Sequence, residues 1–365
     1  MRKILRKGAP FVIIAASLAV FAACSSGANE ALNEMDTPPV NYVEEGESLE
    51  LEEEGVPEDE DEREEKGEEG DEESAVEETV NRELYLLDEN GMVVPQTLPL
   101  PKSDGVLKQS LEYLVEGGPV TNLLPNGFQA VLPPDTEISV NLEDGVAVVD
   151  FSKEFTEYDG EKEQQILQSI TWTLTQFENV EKVKLQVNGH ELEKMPVNGT
   201  PIGDGYSRAN GINLESGDVV DVVNSEAVTL YFLAQSGDQT YYVPVTRRVN
   251  VKDNSFATAV EELLNGPMVT SPLVTDFRNG VELLDEPKYE NGVVTLNFNE
   301  ALLSQMQATA VSDEIINMLA LTLTEQDGVE KVAIQVNGET NILNEQGEFV
   351  AEPVSRPSQV NTGKF

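Results

Sequence analysis

The side chains that most often do chemistry in proteins are scarce in this sequence. The chain has one histidine, His190, and one cysteine, Cys24. His190-Glu191 begins like a zinc-protease motif, but Lys194 stands where that motif requires a second histidine. A catalytic triad, or a metal site with nitrogen and sulfur ligands, needs more such groups than these residues supply. We therefore predict no catalytic residue, no metal site and no cofactor, and we expect His190 to be an exposed residue after a turn.

Paired carboxylates are the remaining route to catalysis, because a glycosidase needs only two of them. Acids are plentiful, with 68 Asp and Glu residues, but few recur at equivalent places in the internal repeat described below. The plainest recurring pair is Glu181 and Glu330, each beside a lysine at the start of a predicted strand. Such a position is typical of a solvated strand edge, so we predict that the protein is not an enzyme.

Cys24 follows an N-terminal segment with the pattern of an export signal. Basic residues within positions 2–7 precede an apolar run over 11–23. Phe21-Ala22-Ala23-Cys24 resembles the lipobox of bacterial lipoproteins, in which small residues precede the modified cysteine. We predict a signal peptide over residues 1–23 and lipidation of Cys24, with palmitate in the anchor, on the outer side of the cell membrane. An uncleaved transmembrane helix is the alternative, since about 20 residues can span the hydrocarbon core.

The charge of the chain is strongly uneven. The formal net charge is −45, and residues 44–78 contribute −19 of it through 21 acids against Arg63 and Lys66. Dense like charge with few apolar residues cannot offset the entropy of ordering, so we predict a disordered acidic linker over residues 24–82. Such a coil would span about 40–45 Å on average. The acid excess excludes nucleic acid as a partner, because the surface could not neutralise phosphates.

The rest of the chain repeats itself. Residues 180–189 read VEKVKLQVNG and residues 329–338 read VEKVAIQVNG, while 84–87 (LYLL) return as 230–233 (LYFL). Matching positions stay 146 to 149 residues apart, and chance cannot hold such a register over several separated matches. We therefore predict two tandem domains joined by a short inter-domain linker. The predicted boundaries are 83–213 for the first domain, 214–228 for the linker and 229–361 for the second domain.

Each repeat shows the same order of predicted elements. An opening strand precedes a helix with apolar residues at 107, 111 and 114 in the first unit. Asp144-Gly145 and Asn291-Gly292 are hairpin signals between the next strands. A second helix, over 161–177 and 312–326, precedes a last main strand that alternates apolar and polar residues. The order β-α-β-β-α-β predicts an α+β domain with a mixed or antiparallel sheet and helices on one side.

An arginine recurs in the segment after the last main strand of each repeat. Ser207-Arg208 with Ile212-Asn213 reappears as Ser355-Arg356 with Val360-Asn361. The recurrence predicts that this segment, the tail, is structured in both domains. Two roles stay open for the arginines: each pins the tail to acids of its own domain, or each makes a fixed contact to a neighbouring subunit or partner.

A set of short motifs recurs in a fixed order. In the first unit they are Leu123-Leu124-Pro125-Asn126-Gly127, Val148-Val149-Asp150-Phe151-Ser152, Leu174-Thr175-Gln176-Phe177 and Val187-Asn188-Gly189. They resemble the GerM family of sporulation and germination lipoproteins, which carry tandem GerMN domains. The second unit departs from the pattern at Asn297-Phe298-Asn299 and Glu325-Gln326. The resemblance covers roughly residues 84–361. It implies a fold similar to the ring-building motifs of secretion systems, and a place in the assembly that bridges the mother cell and forespore membranes.

Together these expectations describe a non-enzymatic, lipid-anchored assembly protein of the bacterial envelope. We expect protein partners in a sporulation envelope complex and self-association, with the exposed faces of helices 161–177 and 312–326 as contact surfaces. A cell-wall or small-ligand binding lipoprotein, for germinants or muropeptides, is the alternative, and an envelope hydrolase is a further one. Aromatic residues make up only 6% of the chain, which disfavours a carbohydrate-binding platform.

Overall fold

The described part of the chain contains both repeat domains. The computed structural model describes residues 78–215, 225–237, 239–250, 254–303, 310–350 and 352–362. The predicted signal peptide, Cys24 and almost all of the predicted acidic linker lie outside these residues. The described residues belong to one compact unit, Glu73–Phe365. Among the helices of the described ranges, none combines the length and the apolar character that a membrane crossing requires.

Apart from the short last strand of each, the two domains consist of matching elements. The first domain contains β1 (Thr79–Leu87), β2 (Val93–Pro101), α1 (Val106–Glu112), β3 (Ile138–Glu143), β4 (Val146–Phe151), α2 (Glu163–Leu174), β5 (Lys182–Val187) and β6 (His190–Glu191). The second domain contains β7 (Ser225–Ser236), β8 (Gln239–Asn250), α3 (Ser255–Asn265), β9 (Lys288–Glu290), β10 (Val293–Phe298), α4 (Asp313–Leu323), β11 (Lys331–Val336) and β12 (Val354–Ser355). Strand β1 begins inside the segment predicted as linker, because it pairs with β2 along its whole length.

Each domain has a mixed sheet, and the predicted α+β class is confirmed. The strand order is β3-β4-β5-β6 in the first domain and β9-β10-β11-β12 in the second. Within these sheets β4 pairs parallel with β5, and β10 pairs parallel with β11, while the outer pairs are antiparallel. A parallel pair needs a long crossover connection, and the helices α2 and α4 lie in those connections.

The connections from β3 to β4 and from β9 to β10 are the tight turns that the sequence predicts. Asp144 and Gly145 have φ angles of 48° and 78°, and Asn291 and Gly292 have φ angles of 50° and 81°. Positive φ at both central positions is the type I′ geometry, whose twist matches that of the flanking antiparallel strands. The hairpin prediction is therefore confirmed in both domains.

The opening of each domain is a hairpin, whereas the sequence predicts a single strand there. β1 pairs antiparallel with β2, and β7 pairs antiparallel with β8 over the full length of both strands. The second strand of the first hairpin carries prolines at 95, 99 and 101, and β8 carries Pro244. Proline gives no N–H to a strand ladder and normally argues against a strand. Because of these prolines, the sequence pattern did not predict β2 and β8 as strands.

Helix α2 lies under the opening hairpin of its own domain. The backbone N–H of Tyr85 in β1 donates to Thr173 Oγ1 at 3.0 Å, and the Tyr85 carbonyl accepts from Ser169 Oγ. In the second domain the N–H of Tyr231 donates to Thr322 Oγ1 of α4, also at 3.0 Å. Most apolar side chains of both helices belong to the main core that they share with the sheet strands, and Leu321 of α4 packs with Tyr231 and Val360 in a smaller cluster. Each second helix is thus packed on more than one side.

The prediction that the second helices present exposed contact faces is wrong. Every residue of α4 is described and none of them is exposed, and within α2 only Gln164 is exposed. Polar residues of these helices, among them Ser169, Thr173 and Thr322, are buried. Their hydroxyls bond to the hairpin backbone, so polar side chains on these helices mark a packed surface.

Candidate functional site at the interface between the domains

The tail of each domain crosses to the opening hairpin of the other domain. From the first domain's tail, Ile212 accepts from the Thr246 N–H at 2.8 Å and donates its own N–H to Thr246 Oγ1 at 2.9 Å. From the second domain's tail, Val360 accepts from the Thr97 N–H at 3.1 Å and donates to Thr97 Oγ1 at 2.9 Å. Each tail therefore hydrogen-bonds to the other domain, which ties the domains together.

The asparagine after each of these tail residues bridges the two hairpins. Asn213 Nδ2 donates to the carbonyls of Val93 in β2 and Pro244 in β8, both at 2.7 Å. Asn361 Nδ2 makes the equivalent bonds, both at 2.8 Å, to one carbonyl of β2 and one of β8. Both asparagines have positive φ, 44° and 54°, a conformation that asparagine adopts more readily than most residues. One amide thus joins both domains at each of these positions.

The two recurring arginines bind the same carboxylate. Arg208 Nη1 lies 2.7 Å from Glu325 Oε2, and Arg356 Nη1 lies 2.8 Å from Glu325 Oε1. Arg356 therefore binds an acid of its own domain, the first of the two open roles, and it also lies 3.4 Å from Glu83 of the first domain. Arg208 instead reaches across to the other domain of the same chain. We call Glu83, Arg208, Glu325 and Arg356 the inter-domain ion cluster.

Aromatic rings line the inter-domain ion cluster. The guanidinium of Arg208 lies 4.3 Å from the ring centroid of Trp172, and that of Arg356 lies 5.5 Å from the ring of Tyr231. The Tyr231 hydroxyl donates to Glu325 Oε1 at 2.9 Å. Trp172, Tyr231 and Glu325 were not predicted from the sequence to belong to a site. The sequence feature that could have indicated this site is the difference between the repeats at one position, where Gln176 in the first repeat corresponds to Glu325 in the second.

Burial and charge act in opposite directions on the groups of this cluster. Burial raises the pKa of Glu325, but Arg208 and Arg356 lower it more, so the net shift is downward. Burial lowers the pKa of Arg208, but the neighbouring groups, with Glu325 foremost, together raise it more, so the net shift is upward. Burial also raises the pKa of the Tyr231 hydroxyl. Glu325 and Arg208 are therefore charged at neutral pH, and Tyr231 is neutral and able to donate.

Two clefts lie beside the inter-domain ion cluster in the described part of the chain. One has a volume of about 740 Å³ and is lined from both domains, with Glu178 and Asp327 among its lining residues. The other has a volume of about 540 Å³ and includes Trp172. Trp172 Nε1 and Gln326 Nε2 have no hydrogen-bond partner within the described ranges. The arginines of these clefts are already paired, whereas these two donors are not.

A second buried ionic contact fixes the start of the predicted inter-domain linker. Arg247 of β8 lies 2.6 Å from Glu215 and 2.8 Å from Glu262 of α3, measured between guanidinium nitrogen and carboxylate oxygen. The Glu215 N–H also donates to the Thr246 carbonyl at 3.0 Å. Arg247 and Glu215 are both buried, with side-chain exposures of 9% and 8%. The chain therefore remains bound to the second domain immediately after the first domain's tail.

The structure does not bring the other candidate residues of the sequence into one site. His190 is exposed in the short strand β6. Glu181 and Glu330 are exposed in different domains, where their N–H groups bond the carbonyls of Gly145 and Gly292 at 2.8 Å. Within the described ranges, no group of three or more His, Cys, Asp or Glu side chains could hold a metal ion. Cys24 lies outside the described residues, so its lipidation stays a prediction.

Known proteins share this duplicated fold. The solved structure of the tandem GerMN domains of the sporulation protein GerM from Bacillus subtilis matches with a TM-score of 0.74 at 53% identity, covering 78% of this chain and 100% of that one. The spore germination protein GerM of Bacillus subtilis (strain 168) is 53% identical over 291 residues, 79% of this chain and 80% of that protein. The Germane family model, described as sporulation and spore germination, matches residues 83–193 and 229–342.

The fold is that of a tandem GerMN domain protein, with one family-model match in each domain. The chain belongs to the Germane family of sporulation and spore germination proteins. The resemblance inferred from the short motifs is thereby confirmed.

Proposed function

We propose that this protein is a non-enzymatic, lipid-anchored assembly protein of the bacterial envelope that acts in spore formation and germination. In a sporulating cell it would stand between the mother cell and forespore membranes as part of a complex that bridges them. Family membership supports the sporulation role. The observation that carries the assembly role is the exchange of tails between the domains, because it makes a rigid two-domain body.

The rigidity argument rests on the interface between the domains. Backbone pairing of Ile212 and Val360 with the opposite hairpins fixes the position of each domain. The inter-domain ion cluster adds partly buried charges, which are costly to separate because each would be left without its partner. A scaffold needs such a fixed spacing between its two binding surfaces. Domains joined only by a linker would move relative to each other by default.

The same contacts support a role without catalysis. Arg208 and Arg356 are the cationic groups that line the larger cleft, and both are bound to Glu325 at 2.7 and 2.8 Å. A catalytic arginine must be free to bind substrate, and a general base must have a hydrogen-bond path to the proton that it removes. Here the charged groups stabilise the domain interface. Zymography on peptidoglycan with the purified chain tests the alternative of an envelope hydrolase.

The proposed anchor is the lipid on Cys24. The test is an immunoblot of membrane and soluble fractions through growth and sporulation, comparing wild type with Cys24→Ala. Ser26→Ala is the matched control next to the predicted lipobox. We expect signal in the membrane fraction during sporulation, and precursor or soluble protein in Cys24→Ala only. Equal amounts throughout growth would contradict the sporulation role, and an unchanged fractionation of Cys24→Ala would contradict the lipid anchor.

A small-ligand binding role is the second candidate. The observation that favours it is the unpaired Trp172 Nε1 and Gln326 Nε2 next to the inter-domain clefts. A ligand with hydrogen-bond acceptors, such as a muropeptide, would satisfy these donors once a side-chain movement uncovers them, because both nitrogen atoms are buried. Calorimetric titration of the chain with muropeptides should show heat that Trp172→Phe abolishes, since phenylalanine keeps the ring and lacks the donor. Equal heat with both proteins would exclude this cleft as the binding site.

A further inference from the structure

Strand β3 forms a free edge of the first domain's sheet. It is the terminal strand of the order β3-β4-β5-β6, and its pairing with β4 is regular from Ile138 to Glu143. The Ser152 N–H donates to the Glu137 carbonyl at 3.0 Å. In an antiparallel ladder only every second residue bonds to the neighbouring strand, so from Glu137 onward the odd-numbered residues of this segment bond to β4. The N–H and C=O groups of Val140 and Leu142 therefore point away from β4. Among the described residues, none bonds to these outward groups.

The side chains of β3 alternate between two environments. Val140 and Leu142 are half-buried on the face that packs on the core, whereas Ser139, Asn141 and Glu143 are exposed on the other face. A strand added beside β3 would meet apolar groups on one face and polar groups on the other. The edge therefore selects a segment that alternates apolar and polar residues.

The equivalent edge of the second domain is interrupted. Lys288 pairs with Thr295, but the next pair along is Leu283 with Phe298. Four residues, 284–287, thus lie opposite two residues of β10, so the edge bulges. Within the bulge Pro287 has no N–H to offer, and its carbonyl accepts from Asn254 Nδ2 at 3.2 Å. Bulges and proline are devices that block strand addition, and the first domain lacks them along its described β3 edge.

The β3–β4 hairpin and the residues that lead into it carry charge of one sign. Residues 133–152 contain five acids and no Lys or Arg, and the acids are Asp135, Glu137, Glu143, Asp144 and Asp150. Antiparallel pairing of β3 with β3 of a second copy would bring Glu137 of each copy close to the acids at the far end of the other strand. Like charges directly opposite destabilise a strand pair. The edge is therefore suited to a basic segment and not to itself.

We propose that β3 is a docking strand for an extended segment of a partner protein in which apolar residues alternate with Lys or Arg. The segment adds to the sheet edge, its backbone pairs with the outward groups of Val140 and Leu142, and its basic side chains lie beside Glu137 and Glu143. This inference rests on the proposed assembly function and specifies the kind of partner. Only the first domain binds such a segment, because the equivalent edge of the second domain is interrupted. The described part of the protein therefore has one docking edge of this type.

The direct test uses a short fluorescent peptide that alternates Lys and Val and the chain from residue 25 onward, which keeps every described residue. Binding is measured by fluorescence anisotropy. We expect binding that weakens with added salt, because exposed charges are screened. Methylation of the peptide nitrogens that face β3 should abolish binding, since strand addition depends on backbone hydrogen bonds. Methylation of the alternate nitrogens should leave binding in place.

Charge reversal separates this edge from general attraction to an acidic protein. Glu137→Lys with Glu143→Lys should weaken binding about tenfold. The matched control is Glu286→Lys with Glu290→Lys, which reverses as much charge on the second domain's edge and should leave the affinity unchanged. Equal weakening by both double variants, or equal binding of both methylated peptides, would overturn the proposal. Circular dichroism of each variant excludes a loss of fold as the cause.

Separate experiments test docking at β3 and the anchored sporulation role. The anisotropy assay uses purified protein, so it reports on the edge whether or not the protein acts in sporulation. In cells, the β3 double variant should remain in the membrane fraction and lower spore formation or germination. A β3 variant with wild-type spores would overturn β3 docking while leaving the anchored sporulation role intact, since that role is decided by the Cys24→Ala fractionation.

Discussion

Gln96 is a buried amide without a hydrogen-bond partner among the described residues. It is fully buried in β2, and neither its Oε1 nor its Nε2 is bonded. It pairs with Leu84, and in the second domain the equivalent pair is Leu230 with Val245. An apolar residue therefore occupies this position in the other repeat. Gln96 costs stability, because burying an unsatisfied polar group carries a desolvation penalty.

Replacement of this amide should stabilise the protein. We expect Gln96→Leu to raise the free energy of unfolding by about 1 kcal/mol, since leucine fills similar space without polar atoms. Urea denaturation measures the change. Gln164→Leu, at the exposed position of α2, is the control and should have little effect. A loss of stability in Gln96→Leu would mean that a bound water satisfies the amide.

Glu163 anchors the loop that follows β6 in the first domain. It is 1% exposed, and its carboxylate accepts from the Tyr158 hydroxyl at 2.7 Å and from the N–H groups of Asn198 at 2.6 Å and Thr200 at 2.8 Å. Burial raises the pKa of Glu163, but the hydrogen bonds outweigh burial and lower it to about 2. The ionised carboxylate therefore stabilises the loop.

This lowered pKa predicts a dependence of stability on pH. An unfolded glutamate has a pKa of about 4.3, so the stabilisation is complete above that pH and is lost as the pH falls towards about 2. We expect Glu163→Gln to lower the free energy of unfolding by about 3 kcal/mol at neutral pH. The difference from wild type should shrink through the acid window. Exposed Glu161→Gln is the control, and a pH-independent difference would contradict the account.

The second helix of each domain is bound to the opening hairpin by a threonine hydroxyl as well as by apolar packing. Thr173 and Thr322 occupy equivalent places on α2 and α4, and each accepts the N–H of a buried tyrosine of the opening hairpin at 3.0 Å. The bonds are the same in both repeats, so they belong to the shared architecture. They explain why polar residues recur on helices that have almost no exposed face.

Removal of either hydroxyl should destabilise the protein to a similar degree. Thr173→Val and Thr322→Val keep the side-chain shape but leave a buried N–H unpaired, which costs about 1–3 kcal/mol. Thermal unfolding followed by circular dichroism measures the loss. Thr156→Val, at an exposed turn where the hydroxyl bonds the Lys153 carbonyl, should change stability little. Similar effects of all three variants would indicate that valine itself, and not the lost bond, is responsible.

Glu325 joins the two domains, because it is the carboxylate that both recurring arginines share. Its replacement would leave Arg208 and Arg356 with insufficient negative charge beside them. We expect Glu325→Gln to lower the free energy of unfolding by about 3 kcal/mol, measured by urea denaturation. Glu178→Gln, which removes an exposed acid from the same cleft, is the matched control. Equal stability of the two variants would show that the inter-domain ion cluster does not hold the domains together.

Much of this architecture follows from local sequence patterns. The repeat register, the α+β class, the turns at Asp144-Gly145 and Asn291-Gly292, and the family resemblance depend on residues close together in the chain. Turn geometry and strand alternation are short-range properties, so they can be derived from neighbouring residues. The recurrence of Arg208 and Arg356 also indicated correctly that the tails are structured.

Tertiary structure alone decided which residues meet. Arg208 and its acid Glu325 are 117 positions apart, and Thr97 and Val360 are 263 positions apart. Such pairs depend on how one domain packs on the other, which no local pattern encodes. The same cause explains the error over the second helices, because a polar face is solvated or packed according to whether another element covers it. In this protein a proline-containing hairpin covers that face in each domain.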